Sequence, residues 1–200
     1  MTAAAQNSVL LEGFPVEKPQ WSHDNHGVSF YRLMLRVPRL SGAEDVLPLL
    51  MPESLTAQVQ EGQPLRVRGQ LRSFNNRSGV GNRLVLTVYV LSIQPGLGEP
   101  CNTITLSGTL CKPPIFRRTP LGRSICDLML AVPRRYGRAD YLPVIAWGQL
   151  AVRTSLLEVG GALALEGRVQ SRVYHKPLPD GSTEERVAFE VSMMHLTEDV

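Results

Sequence analysis

The sequence predicts an all-β chain with one short helix per domain: two tandem copies of a five-stranded Greek-key barrel. Three observations carry this. The chain repeats itself at a spacing of 95 residues. Both copies alternate apolar and polar residues with the period of two that a half-buried strand requires. In each copy, three strand-like segments precede a helical stretch and two follow it.

The repeat fixes the domain organisation. Asn7, Leu11, Gly13, Pro19, Gly27, Leu33, Met34, Leu35, Val37, Pro38 and Arg39 each recur 95 positions later, from Asn102 through Arg134. The match continues through Gly42/Gly137, Asp45/Asp140, Leu47/Leu142 and Pro48/Pro143. After an insertion of three residues it resumes, EGQPLRVRGQLRS facing VGGALALEGRVQS. The predicted domains are residues 1–96 and 97–200, joined by the turn-rich IQPGLGEP.

The elements follow in order. VLLEGFPV and ITLSGTLC alternate as first strands, and their central glycines suit a sharply bent barrel strand. KPQWSHDNHG and KPPIFRRTPLGR read as polar hairpins. FYRLMLRV and ICDLMLAV form the second strand, and DVLPLL and DYLPVIAW the third. PESLTAQVQEG and GQLAVRTSLLEVG read as a short helix. PLRVRGQLRS with LVLTVYVLSI, and ALALEGRVQSRVY with RVAFEVSMM, supply the last two strands. Three strands, a helix and two strands is the order of the OB-fold, which binds oligonucleotides and oligosaccharides on one sheet face and its loops.

Composition narrows the function. An apolar fraction of 43% suits a globular chain. No run of about 18 apolar residues predicts a membrane span. MTAAAQNS lacks the basic and apolar regions of a secretion signal, so the expected location is cytoplasmic. Cys101, Cys111 and Cys126 form no CxxC pair and read as plain thiols. His23, Asp24 and His26 read as a solvated turn. No HExxH, GxSxG or phosphate-binding loop is present, the carboxylates are scattered, and the serines lack a His/Asp set. The expectation is no enzyme, no cofactor, no metal and no small-molecule substrate.

The cations carry more information than the net charge of +3, because 18 of the 21 basic residues are arginine. Arginine forks onto phosphate and stacks on bases, which lysine does poorly. A GC-rich genome also favours arginine codons, so position must decide. In the third strand of the second copy, Leu142, Val144 and Ala146 share one face, and Tyr141, Ile145 and Trp147 the other. In its fourth strand Arg168, Gln170, Arg172 and Tyr174 oppose Leu163, Leu165, Gly167 and Val169. If the apolar sets fill the barrel, Tyr141, Trp147, Tyr174, Arg168 and Arg172 share an outward sheet. The first hairpin adds Phe116, Arg117, Arg118 and Arg123. The next loop adds Arg134, Arg135, Tyr136 and Arg138, and the last hairpin Lys176. Single-stranded nucleic acid demands such a surface: a basic groove for phosphates and aromatic faces that stack bases at about 1–3 kcal/mol each. RNA stays open as a ligand beside DNA.

NTITLSGTL, RRTPLGR, LMLAVPRR, DYLPVIAWGQLA and GRVQSRVY, in that order and spacing, resemble the bacterial single-stranded DNA-binding protein family over almost the whole second copy. The resemblance implies non-sequence-specific strand binding in replication, recombination or repair. It also implies four stacking positions, which fall by motif on Tyr136, Tyr141, Trp147 and Tyr174. At the corresponding places the first copy has Ser41, Val46, Met51 or Pro52, and Asn76, none of them aromatic. It keeps Arg66, Arg68 and Arg72 alternating outward with Phe74 beyond, so it is expected to touch backbone and stack fewer bases, or to serve assembly. The family usually ends in a Gly/Pro/Gln-rich tail with an acidic tip, whereas this sequence reads MMHLTEDV straight after its last strand, like an accessory or primosomal-type relative. The family commonly joins four barrels, so two per chain suggest a homodimer. The alternative reading is a protein–protein assembly module whose aromatics form an interface, with weak or no nucleic-acid binding.

Overall fold

In the computed structural model the described residues are 6–78 and 81–197. Residues 1–5 of the stretch read for a secretion signal, residues 79–80 of the Gly-rich hairpin and residues 198–200 lie outside them. The first half supplies β1 (Asn7–Pro15), β2 (Gln20–Asn25), β3 (Val28–Pro38), β4 (Glu44–Pro52), β5 (Leu65–Asn75) and β6 (Leu84–Pro95). The second supplies β7 (Cys101–Leu110), β8 (Ile115–Arg118), β9 (Ser124–Pro133), β10 (Ala139–Trp147), β11 (Ala162–Pro177) and β12 (Thr183–Thr197). All twelve join in the order β2-β3-β4-β6-β5-β1-β7-β11-β12-β10-β9-β8, and the further pairings β1–β3 and β7–β9 close each half on itself. The result is two OB barrels in tandem. Gly13 and Gly108 sit where β1 and β7 make that closure; a side chain there would run into the carbonyl of Arg36 or Ala131 on the facing strand.

Two details differ from the sequence reading. The polar hairpins each contain a short edge strand, β2 and β8, held to β3 and β9. The two predicted helices also differ. The second copy has an α-helix, α1 (Gln149–Thr154), entered through Gly148 at φ 59°, ψ −126°, a conformation reserved for glycine. The first copy has only a 3-10 turn, Glu53–Gln58, because Pro52 and Glu53 stand where the second has Trp147 and Gly148. Among the described residues no helix is long and apolar enough to cross a membrane.

The predicted parity holds in the core. Leu33, Leu35, Val37, Leu47 and Leu49 are buried, as are their counterparts Leu128, Leu130, Val132, Leu142 and Val144. The barrels join through β1 and β7, which pair antiparallel with Val9 opposite Ile104, its own repeat, and Asn7 opposite Leu106. A pseudo-twofold axis therefore passes between Val9 and Ile104. Flanking contacts obey it. Asn7 brackets the backbone of Leu71, donating to its carbonyl and accepting from its N–H, and Asn102 does the same to Val169.

The same symmetry builds two carboxylate latches. Asp45 is fully buried, accepts from Arg39 Nε at 2.6 Å, and accepts the backbone N–H of Ser171 in the other barrel at 3.0 Å. Asp140 is likewise fully buried, grips Arg134 through both oxygens, and accepts the N–H of Ser73 at 2.7 Å. Arg72 adds a second cation to that latch at 3.3 Å. Buried carboxylates need such partners, since an uncompensated charge away from water is strongly unfavourable.

Candidate nucleic-acid interface

Register fixes the working face of the second barrel. Directly paired residues in a sheet project to the same side. Tyr141 pairs Ala131, Pro143 pairs Met129, Ile145 pairs Asp127 and Trp147 pairs Ile125. The next strand adds Ser192 beside Ile145, and through it Glu190, Arg168, Gln170, Arg172 and Tyr174. Tyr141 and Trp147 are exposed, at 49% and 39%. Ile145 shares their face but is buried in mid-sheet between Asp127 and Ser192. Gly148 ends β10 directly after Trp147, and the indole borders a cleft of about 500 Å³ lined also by Gly122, Arg123, Gln149 and Val152.

Tyr136 stands in the loop between β9 and β10, 96% exposed, with a left-handed backbone at φ 62°, ψ 37°. A bulky residue there is strained by about 1–2 kcal/mol, and such outliers gather at binding sites. Tyr174 is more tied. Its hydroxyl donates to Asn82 of the first barrel at 2.8 Å, and the Arg172 guanidinium lies 5.9 Å from its ring centre.

The cations divide into two groups. Arg118, Arg123, Arg135, Arg138 and Lys176 are exposed, with no carboxylate partner among the described residues. Arg68 is exposed and unpaired as well, but it lies on the central strands, opposite Leu10. Others are engaged with carboxylates or partly buried. Arg134 and Arg72 belong to the Asp140 latch. Arg66 pairs with the buried Glu12 at 3.3 Å, whose other oxygen receives the N–H of Glu99 in the connector. Arg117 binds Asp127 at 2.8 Å, and that hydrogen bond raises its pKa. Arg172 reaches Glu190 at 3.5 Å. Arg168 is half-buried near the Asp45 latch; burial, then the neighbouring Arg39, lowers its pKa. In each case a carboxylate or a buried setting holds the guanidinium, from six residues away for Arg134 and Asp140 to 68 for Arg72 and Asp140.

Phe116 also departs from the expected grouping. It pairs Cys126, as Arg118 pairs Ser124, and both project to the opposite side of β8 from Arg117, which pairs Ile125; Arg118 stays exposed at the end of the strand. Phe74 is drawn toward the site instead. Ser73 Oγ accepts the N–H of Tyr141 at 2.7 Å, and Phe74 follows at the exposed end of β5.

Sequence reasoning passed over a second ring cluster, in the first barrel. His23 stacks on Phe30 with centroids 5.3 Å apart and planes at 15°, and Phe30 lies 6.2 Å from Tyr89. The Arg72 guanidinium stands 5.8 Å from the centre of the Tyr89 ring. The alternation in FYRLMLRV, with Leu33, Leu35 and Val37 buried, already sends Phe30 outward.

Residues 101–196 match the sequence model of the single-strand binding protein family. The second barrel belongs to that family. A single-stranded DNA-binding protein of Clostridium tetani is 35% identical over 80 residues, covering 36% of this chain and 55% of the relative. A single-stranded DNA-binding protein 2 of Streptococcus agalactiae serotype V is 30% identical over 89 residues, covering 41% and 66%. The chain thus spans only about half to two thirds of these relatives' length. The fold likeness extends further: the crystal structure of wild-type single-stranded DNA binding protein from Thermus aquaticus superposes on 99% of this chain and 95% of its own, with a TM-score of 0.80 at 24% identity. Family membership rests on the second barrel, and the likeness to the Thermus aquaticus structure is one of fold.

Proposed function

We propose that this chain binds single-stranded DNA without sequence preference, as its family relatives' names indicate for them, in replication, recombination or repair. Bases stack on Tyr136, Tyr141 and Trp147, with the Tyr174 ring at the far edge. Phosphates meet Arg118, Arg123, Arg135, Arg138 and Lys176. The observation that carries the reading is the joint exposure of Tyr136, Tyr141 and Trp147 on the face and loop flanked by unpaired arginines. Exposed rings gathered beside free guanidinium groups suit bases, which are flat, apolar-faced and attached to charge. Binding of this kind is non-catalytic.

The reading divides the chain at the IQPGLGEP connector into domains 1–96 and 97–200, the second carrying most of the stacking. It also includes a homodimer of four barrels. Leu91 and Met194 support that part: they are repeat counterparts at β-bulges, 57% and 51% exposed on the outer side of the central sheet. A monomeric mass by light scattering at micromolar concentration removes the dimer.

The test is fluorescence anisotropy of a labelled deoxythymidine oligomer at two salt concentrations, with duplex DNA and an RNA oligomer alongside. The expected result is binding to the DNA single strand over duplex that weakens steeply with salt and quenches tryptophan. No binding at low salt overturns the proposal in favour of a protein interface.

A further inference from the structure

We infer that the first barrel carries a stacking platform of its own, built from His23, Phe30 and Tyr89 and used for the same single strand; this rests on the proposed function. The three rings form one row across the outer sheet, 5.3 and 6.2 Å between successive centroids, ended by the Arg72 guanidinium over Tyr89. They are not core. Phe30 and Tyr89 are absent both from the buried cluster and from the partly buried residues packed against it, and His23 is exposed.

Their address is the stronger argument. Phe30 pairs Pro52 on β4, and Pro52 is the repeat counterpart of Trp147. Tyr89 lies beside Leu50 on the other flank of the same strand, where the second barrel has Ser192 beside Ile145. The second barrel thus carries its ring on the middle strand, beside Ile125 and two residues beyond the Ile145–Ser192 pair. The first carries rings on the two flanking strands, with proline between. Both arrangements put aromatic surface over the same patch of the barrel. His23 completes the exchange. It pairs Phe30 where Arg117 pairs Ile125, so a ring replaces an arginine that is bound to Asp127. Exposed Arg32, two residues along β3 from Phe30 and on the same face, supplies a cation beside the row.

Such a row accepts flat, stacked groups and tolerates any base, because every base offers a π-face. A strand long enough to leave the second barrel would therefore find a second set of rings on the first, and the two would add through their shared tether.

The experiment uses the full chain and two deoxythymidine oligomers. One is about 10 nucleotides, within the span of a single barrel, and the other about 30. The variant is Phe30→Leu with Tyr89→Leu, which keeps apolar volume and removes the rings. The expected result is affinity about tenfold or more weaker for the long oligomer and little changed for the short one. An unfolding midpoint like the parent's with equal long-oligomer affinity overturns the inference. Should the variant fold poorly, the parent protein is photocrosslinked to a long 5-iododeoxyuridine oligomer and digested. Adducts on the peptides holding Phe30 or Tyr89 support the inference. Adducts confined to the Tyr136–Trp147 region overturn it and leave the proposed function standing. Failure of both oligomers to bind overturns both.

Discussion

The two barrels agree through the interior of each barrel and part company on one outer face. The core leucines, the closing glycines and the asparagine brackets across each barrel occur in both copies. On the face, Val46 stands for Tyr141, Pro52 for Trp147 and Ser41 for Tyr136, while Phe30 replaces Ile125 and Tyr89 replaces Ser192. Packing explains the contrast. A core position admits few side chains, because a void or an overlap costs about 1–3 kcal/mol or more. The outer face lies outside the barrel interior and tolerates exchange even where Ile125 and Ser192 are covered, so rings can move to a neighbouring strand while the barrel stays intact.

The largest expected effect tests the agreement rather than the divergence. Asp140→Ala leaves Arg134, Arg72 and the Ser73 N–H without their acceptor and should destabilise the fold by about 3–5 kcal/mol in urea unfolding. Asp45→Ala, which strands one arginine and Ser171, should cost less; equal losses would mean that Arg72 adds nothing. Next, Trp147→Ala should weaken single-strand binding by about 1–3 kcal/mol without shifting the unfolding midpoint, whereas Pro52→Ala should leave affinity alone. Tyr141→Ala compared with Val46→Ala asks the same question at the other end of β10, and similar losses would break the contrast. Tyr136→Gly should move two measurements in opposite directions. The backbone is relieved by about 0.5–1 kcal/mol in thermal unfolding while oligomer affinity falls. Smallest is a change of slope: Arg118→Ala with Arg123→Ala should reduce the salt dependence of binding by about 1–2 units, and Arg117→Ala, already held by Asp127, by less.

Much of this was legible in the sequence because it depends on local period. The repeat, the strand order and the outward parity of Tyr141 and Trp147 all follow from spacing alone. The ion pairs that cross between strands and barrels depend on distant partners. Nothing near Arg134 in sequence announces that Arg72 shares its carboxylate, or that Ser73 caps it from the other barrel. Glu12 claims Arg66 from 54 residues away. The edge strands β2 and β8 were hidden for a different reason: both faces are wet, so their alternation carries no apolar signal. Phe30 is legible by parity, but the row it joins is not, because His23 and Tyr89 lie on other strands.

The pseudo-twofold axis between Val9 and Ile104 bears on direction. A nucleic-acid strand runs from 5′ to 3′, and turning it end for end gives a different object. Two barrels related by a half-turn present their faces in opposite senses. A strand crossing both therefore either doubles back between them or meets the second face with reversed polarity. Identical faces could satisfy a continuous strand only by forcing the bend. Two faces with their rings on different strands are free of that requirement, and each can suit the direction in which the chain of phosphates reaches it.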